Sequence, residues 1–174
     1  KEPQLEECAL LKQDQILFTY LHLAPDPEQT QALVDSGVSA IAYESVVAED
    51  KSYPLLTPMS AIAGRLAVQA GASCLEKAKG GSGILMGGVT NVDPARVTII
   101  GGGVVGYNAI EIALGMQANV TVLDKSATRL DYLESVFGDD LNAVPADSES
   151  NETFITPADL LIGAVLVPGA SAPK

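Results

Sequence analysis

The chain has 174 residues, enough for one domain with a sizeable core or for two small ones. Apolar residues make up 47% of it and charged residues 18%, which excludes a disordered chain. Its formal net charge of −12, with ten basic residues scattered along the whole length, excludes the clustered basic footprint that a nucleic-acid surface needs.

Residues 15–24, QILFTYLHLA, read as a strand: aromatic and β-branched residues in a near-continuous apolar run suit a buried parallel sheet. Residues 25–37 carry helix punctuation. Asp26 can cap, Pro27 fits the first helical position, Gln29 is placed to close a capping box, and Gly37 ends the helix. Residues 38–46, VSAIAYESV, form the next strand, so the first stretch is a βαβ unit of an α/β fold. A long helix follows over 57–77, with Thr57 as cap and Met59, Ile62, Ala63, Leu66 and Ala70 recurring at helical spacing. A glycine-rich stretch, 79–94, comes after it. A domain boundary is expected between 55 and 60, with residues 1–56 a partial substrate domain and the long helix a connector into a second domain, 57–174.

From residue 96 the pattern restarts as strand RVTII, glycines, helix VVGYNAIEIALGMQ and strand NVTVLD. Helix SATRLDYLESVF, a weak strand LNAV, a polar stretch over 145–157 and strand ADLLIGAVL complete it. Cys8 and Cys74 lack metal-ligand spacing and read as buried, reduced thiols of a cytoplasmic protein, so no metal is expected. The longest apolar run, residues 160–170, is too short for a bilayer and carries a proline, so no membrane partner is expected. The opening KEPQLEE is no signal peptide, and a chain that starts without methionine reads as a cut or processed piece of something longer.

Gly101, Gly103 and Gly106 satisfy G-x-G-x-x-G, a weak pattern by itself that gains force from its place between a strand and a helix in a βαβ unit. Gly101 permits the tight turn, Gly103 lets backbone approach a pyrophosphate, and Gly106 allows close packing of helix on sheet. N–H groups at the helix start then face the anion, aided by the helix dipole. Asp124 ends the next strand at the spacing of a ribose-binding acid. Its carboxylate accepts from ribose hydroxyls and repels a 2′-phosphate, which favours NAD over NADP. The alternative, Asp124 as a plain helix cap, competes with Ser126 for that task. Arg129, one turn into the following helix, either reaches the adenosine side or is a solvated surface arginine. The domain is read as a Rossmann-like, doubly wound parallel sheet.

His22, the one histidine, stands at the end of the first strand, where α/β folds place functional groups; it is either a packing residue or a proton-exchanging one. The segments KEP, ILFTYLHLA, AIAYE, PLLTPMS-IAGRL, GILMGGV, IIGGGVVGYNA and ADLLIGAVLVPG resemble, in order and spacing, the middle of alanine dehydrogenases. The resemblance covers nearly all of the chain outside 138–157. It implies reversible, NAD-dependent oxidative deamination of L-alanine to pyruvate and ammonium. It further implies that His22 is the acid/base on the substrate oxygen and that Lys1 contacts the substrate carboxylate and carbonyl. Ser60, Val104 and Val105 would lie against the cofactor, and Gly163, Ala164, Val165 and Leu166 would pass close to its adenosine and its nicotinamide ribose. For Lys1 the plain reading is a mobile terminal charge, and for Ser60 a first-turn residue meeting a free N–H. The family forms hexamers, so a homo-oligomer with the long helix at a subunit contact is implied. The alternative is a non-catalytic NAD(H)-binding module, similar to the nucleotide domain of proton-translocating transhydrogenase. The family's substrate-binding arginine and its catalytic aspartate are expected outside residues 1–174. The stretch 142–157 departs from the family's usual strand and helix, and Pro157 disfavours a regular helix end there.

Overall fold

A computed structural model of the chain describes residues 2–166. It divides between Met59 and Ser60 into two compact units. The first holds α1 (Leu5–Cys8), β1 (Ile16–Thr19), α2 (Pro27–Ser36), β2 (Ser39–Ala42) and a 3-10 turn, Tyr43–Ser45. β1 and β2 pair in parallel, with Ile16 opposite Ser39 and Thr19 opposite Ala42. Its small core is Cys8, Leu21 and Leu33, while Ile16, Phe18 and Ile41 remain exposed.

Helix α2 starts and stops where its punctuation directs. The Asp26 carboxylate accepts from the Gln29 N–H at 2.9 Å, Pro27 occupies the first turn, and Gly37 closes the helix at φ +68°. Gln29 does not close a capping box. Its side chain is buried and donates from Nε2 to the Leu21 carbonyl at 3.0 Å, and the Asp26 N–H from which a capping box would have it accept donates instead to the Leu23 carbonyl at 3.2 Å. β1 is also shorter than residues 15–24 imply: beyond Tyr20 the chain leaves the sheet, and the Leu21 and His22 N–H groups turn to Glu44.

Helix α3 (Thr57–Leu75) begins at Thr57, so this residue is not the cap; its hydroxyl donates back to the Tyr53 carbonyl at 3.0 Å. The buried side of α3 is Gly64, Val68, Gly71 and Leu75, and the expected apolar stripe of Met59, Ile62 and Leu66 faces outward with Cys74. Glycine explains the inversion. A Cβ at Gly64 would lie 2.2 Å from the Val105 carbonyl oxygen, and one at Gly71 2.5 Å from the Leu160 side chain. Hydrophobic periodicity marks bulk, whereas this contact is built from missing bulk.

The second unit continues with β3 (Arg96–Ile100), α4 (Val104–Gly115), β4 (Asn119–Asp124), α5 (Ala127–Phe137), β5 (Leu141–Pro145), α6 (Ser148–Ile155) and β6 (Leu160–Gly163). Its sheet is wholly parallel in the order β5-β4-β3-β6. Val97, Ile99, Val120, Val122 and Ile162 bury against Ala109, Ile110, Ala113, Leu130 and Leu133. Residues 142–157, which depart in sequence from the family's usual strand and helix, nonetheless form most of β5 and all of α6. Asp147 caps α6 by accepting from the Ser150 N–H at 2.8 Å, and Ser150 Oγ accepts from the Asp147 N–H at 3.0 Å. This reciprocal box, with no apolar period, starts a short helix that stops at Ile155, before Pro157.

Candidate functional site

Strand order reverses between β3 and β6: from β3 the chain first winds outward through β4 and β5, then crosses back to the opposite side. In open α/β sheets the crevice beyond the carboxyl ends at such a reversal is where ligands bind. Here it lies between the β3–α4 turn and the end of β6. Gly101 takes φ +97°, and a Cβ on it would meet the Ala164 carbonyl oxygen at 2.8 Å and Val165 at 3.1 Å. The Ala164 N–H donates to the Ile100 carbonyl at 2.7 Å, which ties the two sides together. Gly163, Val165 and Leu166 are exposed beside this seam, and Ala164 is half-buried.

The other two motif glycines differ sharply in surroundings. A Cβ on Gly106 would fall 1.9 Å from the Gly101 carbonyl oxygen, so only glycine lets α4 sit this close to the turn. Gly103 is exposed at the N-cap of α4, and a Cβ there would meet nothing within 4 Å. Val104, exposed, and Val105, half-buried, form the first turn, whose N–H groups a helix cannot satisfy internally. Helix α3 approaches this turn through Gly64, with half-buried Ser60 one turn earlier. Asn108 braces the same region: its Nδ2 donates to the Val104 carbonyl at 2.9 Å, and its Oδ1 accepts from Arg65 Nε at 3.0 Å.

Asp124 ends β4 beside the turn. Its Oδ2 accepts from the Gly102 N–H at 2.6 Å and its Oδ1 from the Ser126 N–H at 2.8 Å. Ser126 is the cap of α5, accepting from the Arg129 N–H at 3.3 Å, so Asp124 is left to face the turn. Arg129 is half-buried: its Nε donates to the Gly102 carbonyl, and its guanidinium lies 4.7 Å from the Tyr132 ring centroid and 5.8 Å from that of Tyr107. One peptide group at Gly102 is therefore held on its N–H side by Asp124 and on its carbonyl side by Arg129. Gly102 escaped the motif reading because it occupies a variable position of the pattern. Yet a Cβ there would lie 2.7 Å from Leu133.

The first unit carries His22. It is exposed, with φ +50°, a left-handed conformation that non-glycine residues adopt infrequently. Glu44 holds it there: Oε1 accepts from the His22 N–H at 2.8 Å and from the Leu21 N–H at 3.1 Å. Burial pushes the Glu44 carboxyl up, but the donated N–H bonds of His22, Leu21 and its own backbone outweigh that and hold it below the usual carboxylate range. The imidazole Nδ1 lies 3.4 Å from the Glu2 carboxylate. Sequence reading passed over Glu44 and Glu2, although both lie in segments, AIAYE and KEP, that carried the resemblance. Lys1 and residues 167–174 lie outside the described residues. Among the described residues no group of three or more His, Cys, Asp or Glu is gathered to hold a metal ion, and no helix is long and apolar enough to cross a membrane.

Residues 1–63 match the alanine dehydrogenase/PNT N-terminal domain, and residues 67–174 match the alanine dehydrogenase/PNT C-terminal domain. The chain belongs to the alanine dehydrogenase/PNT family. It is 54% identical to the alanine dehydrogenase of Methanococcus maripaludis and 56% identical to that of Halomonas elongata, in each case over all of this chain and 47% of the relative. The Bacillus subtilis alanine dehydrogenase is 53% identical over 99% of this chain and 46% of its own length. The chain thus spans about half the length of the relatives it matches. A solved L-alanine dehydrogenase superposes with a TM-score of 0.87 at 52% identity, over 99% of this chain and 48% of that one. A transhydrogenase from Sinorhizobium meliloti shares the fold at TM-score 0.70 and 21% identity, over 99% of this chain and 50% of that one. The α/β reading with parallel sheets therefore stands, matched to an alanine dehydrogenase structure.

Proposed function

We propose that this chain carries the nucleotide-binding part, and a portion of the substrate-binding part, of an NAD-dependent alanine dehydrogenase that interconverts L-alanine with pyruvate and ammonium. The observation that carries this reading is the match of relatives named alanine dehydrogenase across both units, at 53 to 56% identity.

The residues fit a dinucleotide. Gly103 leaves open space at the positive end of α4, as close approach of a pyrophosphate to backbone requires. Asp124 uses one lone pair on each oxygen and retains others for ribose hydroxyls. When bound, NAD supplies the hydride acceptor, and NADH the donor. Gly101 and Gly106 shape the turn, while Val104, Val105 and the segment Gly163, Ala164, Val165 and Leu166 border the nucleotide. Ser60 and Arg129 complete the surround, Arg129 by fixing the Gly102 peptide. His22 exchanges a proton with the substrate oxygen through Nε2, the nitrogen turned from Glu2, and Lys1 orients the carboxylate and polarises the carbonyl. The protein is proposed to act in the cytoplasm as a homo-oligomer, a hexamer by family likeness, with the outward stripe of α3 at a subunit contact.

The deciding assay follows NADH in a protein of the relatives' full length carrying this sequence, with alanine, glycine, serine, or pyruvate plus ammonium. Alanine-dependent NADH formation is the expected result. NADH binding without turnover on any of these substrates would leave only the nucleotide-binding module.

A further inference from the structure

His22 sits in a strained turn, and the surrounding hydrogen bonds account for how that strain is maintained. A left-handed backbone at a non-glycine residue persists only where neighbouring structure over-determines it, and such residues cluster at functional sites. Three side chains converge on the segment Leu21, His22 and Leu23. Glu44 accepts from the first two N–H groups, buried Gln29 donates to the Leu21 carbonyl at 3.0 Å, and Thr30 Oγ1 donates to the Leu23 carbonyl at 3.0 Å. Both faces of the turn are thus clamped, from the 3-10 turn after β2 on one side and from α2 on the other.

The clamp is itself anchored. Glu44 belongs to the 3-10 turn after β2, where Tyr43 meets Phe18 edge-on at 4.4 Å and Tyr20 at 5.0 Å between ring centroids. The Tyr20 hydroxyl donates to the Leu55 carbonyl at 2.6 Å. Gln29 is only 3% exposed, and its second amide atom, Oε1, has no hydrogen-bond partner. A buried amide that leaves one atom unsatisfied costs stability, so its bond to Leu21 is kept against a penalty. With the backbone fixed at both peptides, the direction in which the imidazole leaves the chain is fixed too.

We propose that Glu44 is a positioning residue for His22, acting through the Leu21 and His22 N–H groups to hold the turn that aims the imidazole, with Gln29 as its counterpart on the carbonyl side. The inference rests on the reading of His22 as the proton-exchanging residue.

Two measurements separate the inference from that reading. In the 174-residue chain, amide hydrogen exchange is followed at Leu21 and His22 against the amides of β3 and β4 as a fold control. Glu44→Ala is expected to speed exchange at Leu21 and His22 by about 100-fold, the loss of a charge-assisted hydrogen bond, and to leave the control amides unchanged. Glu44→Gln keeps an acceptor at the same place and is expected to stay within about tenfold of the parent. Unchanged exchange at both amides in Glu44→Ala overturns the proposal. In a protein of full family length, Glu44→Ala is expected to lower kcat about 100-fold with KM for NAD unmoved, and Glu44→Gln to restore most of it. In a His22→Ala background, adding Glu44→Ala should change kcat no further. A further drop as large as the first overturns the proposal, because Glu44 would then act independently of His22. Full turnover in His22→Ala alone would remove the catalytic reading, while amide exchange still decides whether Glu44 holds the turn.

Discussion

A methyl group on Gly103 would meet nothing, whereas the same group on Gly106 would strike the Gly101 carbonyl oxygen. The two glycines therefore differ in their surroundings, one facing open space and one closed against the fold. Gly106→Ala is expected to destabilise the second unit by about 3 kcal/mol or more, read in a denaturant melt. Gly103→Ala should change stability by no more than ~1 kcal/mol, the scale of a helix cap, yet lower NADH affinity about tenfold or more in a titration. Equal affinity in parent and variant would move the pyrophosphate elsewhere. Asp124 makes a second test. NADH should bind at least about tenfold tighter than NADPH, and Asp124→Asn, which keeps an acceptor for the Gly102 N–H, should narrow that ratio. Residue spacing made these glycines and Asp124 legible before any coordinates. It left Gly102 and Glu44 unseen and gave Gln29 a different partner, because Gly102 and Glu44 act by contacts between segments more than twenty residues apart, which no local pattern encodes.

At the scale of elements, the start and stop of α2 were legible, while the cap of α3 and the side it buries were not. Asp26, Pro27 and Gly37 bound α2 as their chemistry requires, since caps act on the nearest backbone groups. The buried face of α3 went unread because glycine contributes no hydrophobicity to a periodic pattern. α6 was missed because its start is carried by two short polar side chains. Sheet closure at β6 depends on one further pair. Asp159 Oδ2 accepts from the Arg96 N–H at 2.8 Å and from Nε at 3.2 Å, and Oδ1 accepts from NH2 at 3.1 Å, pinning the start of β6 to the start of β3. The Arg96 guanidinium holds the Asp159 carboxyl below its ordinary value of 3.8, against the upward push of burial. A depressed carboxyl contributes stability that is fully present above that ordinary value and is lost as pH falls through the folded one. The second unit should therefore lose thermal stability on acidification below pH 3.8. Asp159→Asn should be less stable at neutral pH and less sensitive to that acidification. An unaltered pH profile in the variant would assign the loss to other carboxylates.

For the molecule as a whole, the residues proposed to hold the nucleotide all belong to the second of the two units. NADH should slow amide exchange around the glycine turn and at Ala164, Val165 and Leu166, and leave β1 and β2 as they were. Its stabilising effect on the unit that binds it reaches about 2.7 kcal/mol at a ligand concentration one hundred times Kd. Protection confined to β1 and β2 would overturn the placement of the nucleotide.

The two-stranded sheet has a further consequence. Among the described residues, β1 and β2 have only each other as strand partners, so each leaves one long side without a neighbouring strand. Ile16, Phe18 and Ile41 are exposed on this pair, which makes it a template on which extended segments of other copies can stack. At neutral pH the surplus of 12 negative charges opposes edge-to-edge stacking of this strand pair between copies. As acid removes that surplus, self-assembly of the 174-residue chain should begin at this strand pair, and a lysine placed at Phe18 should delay its onset.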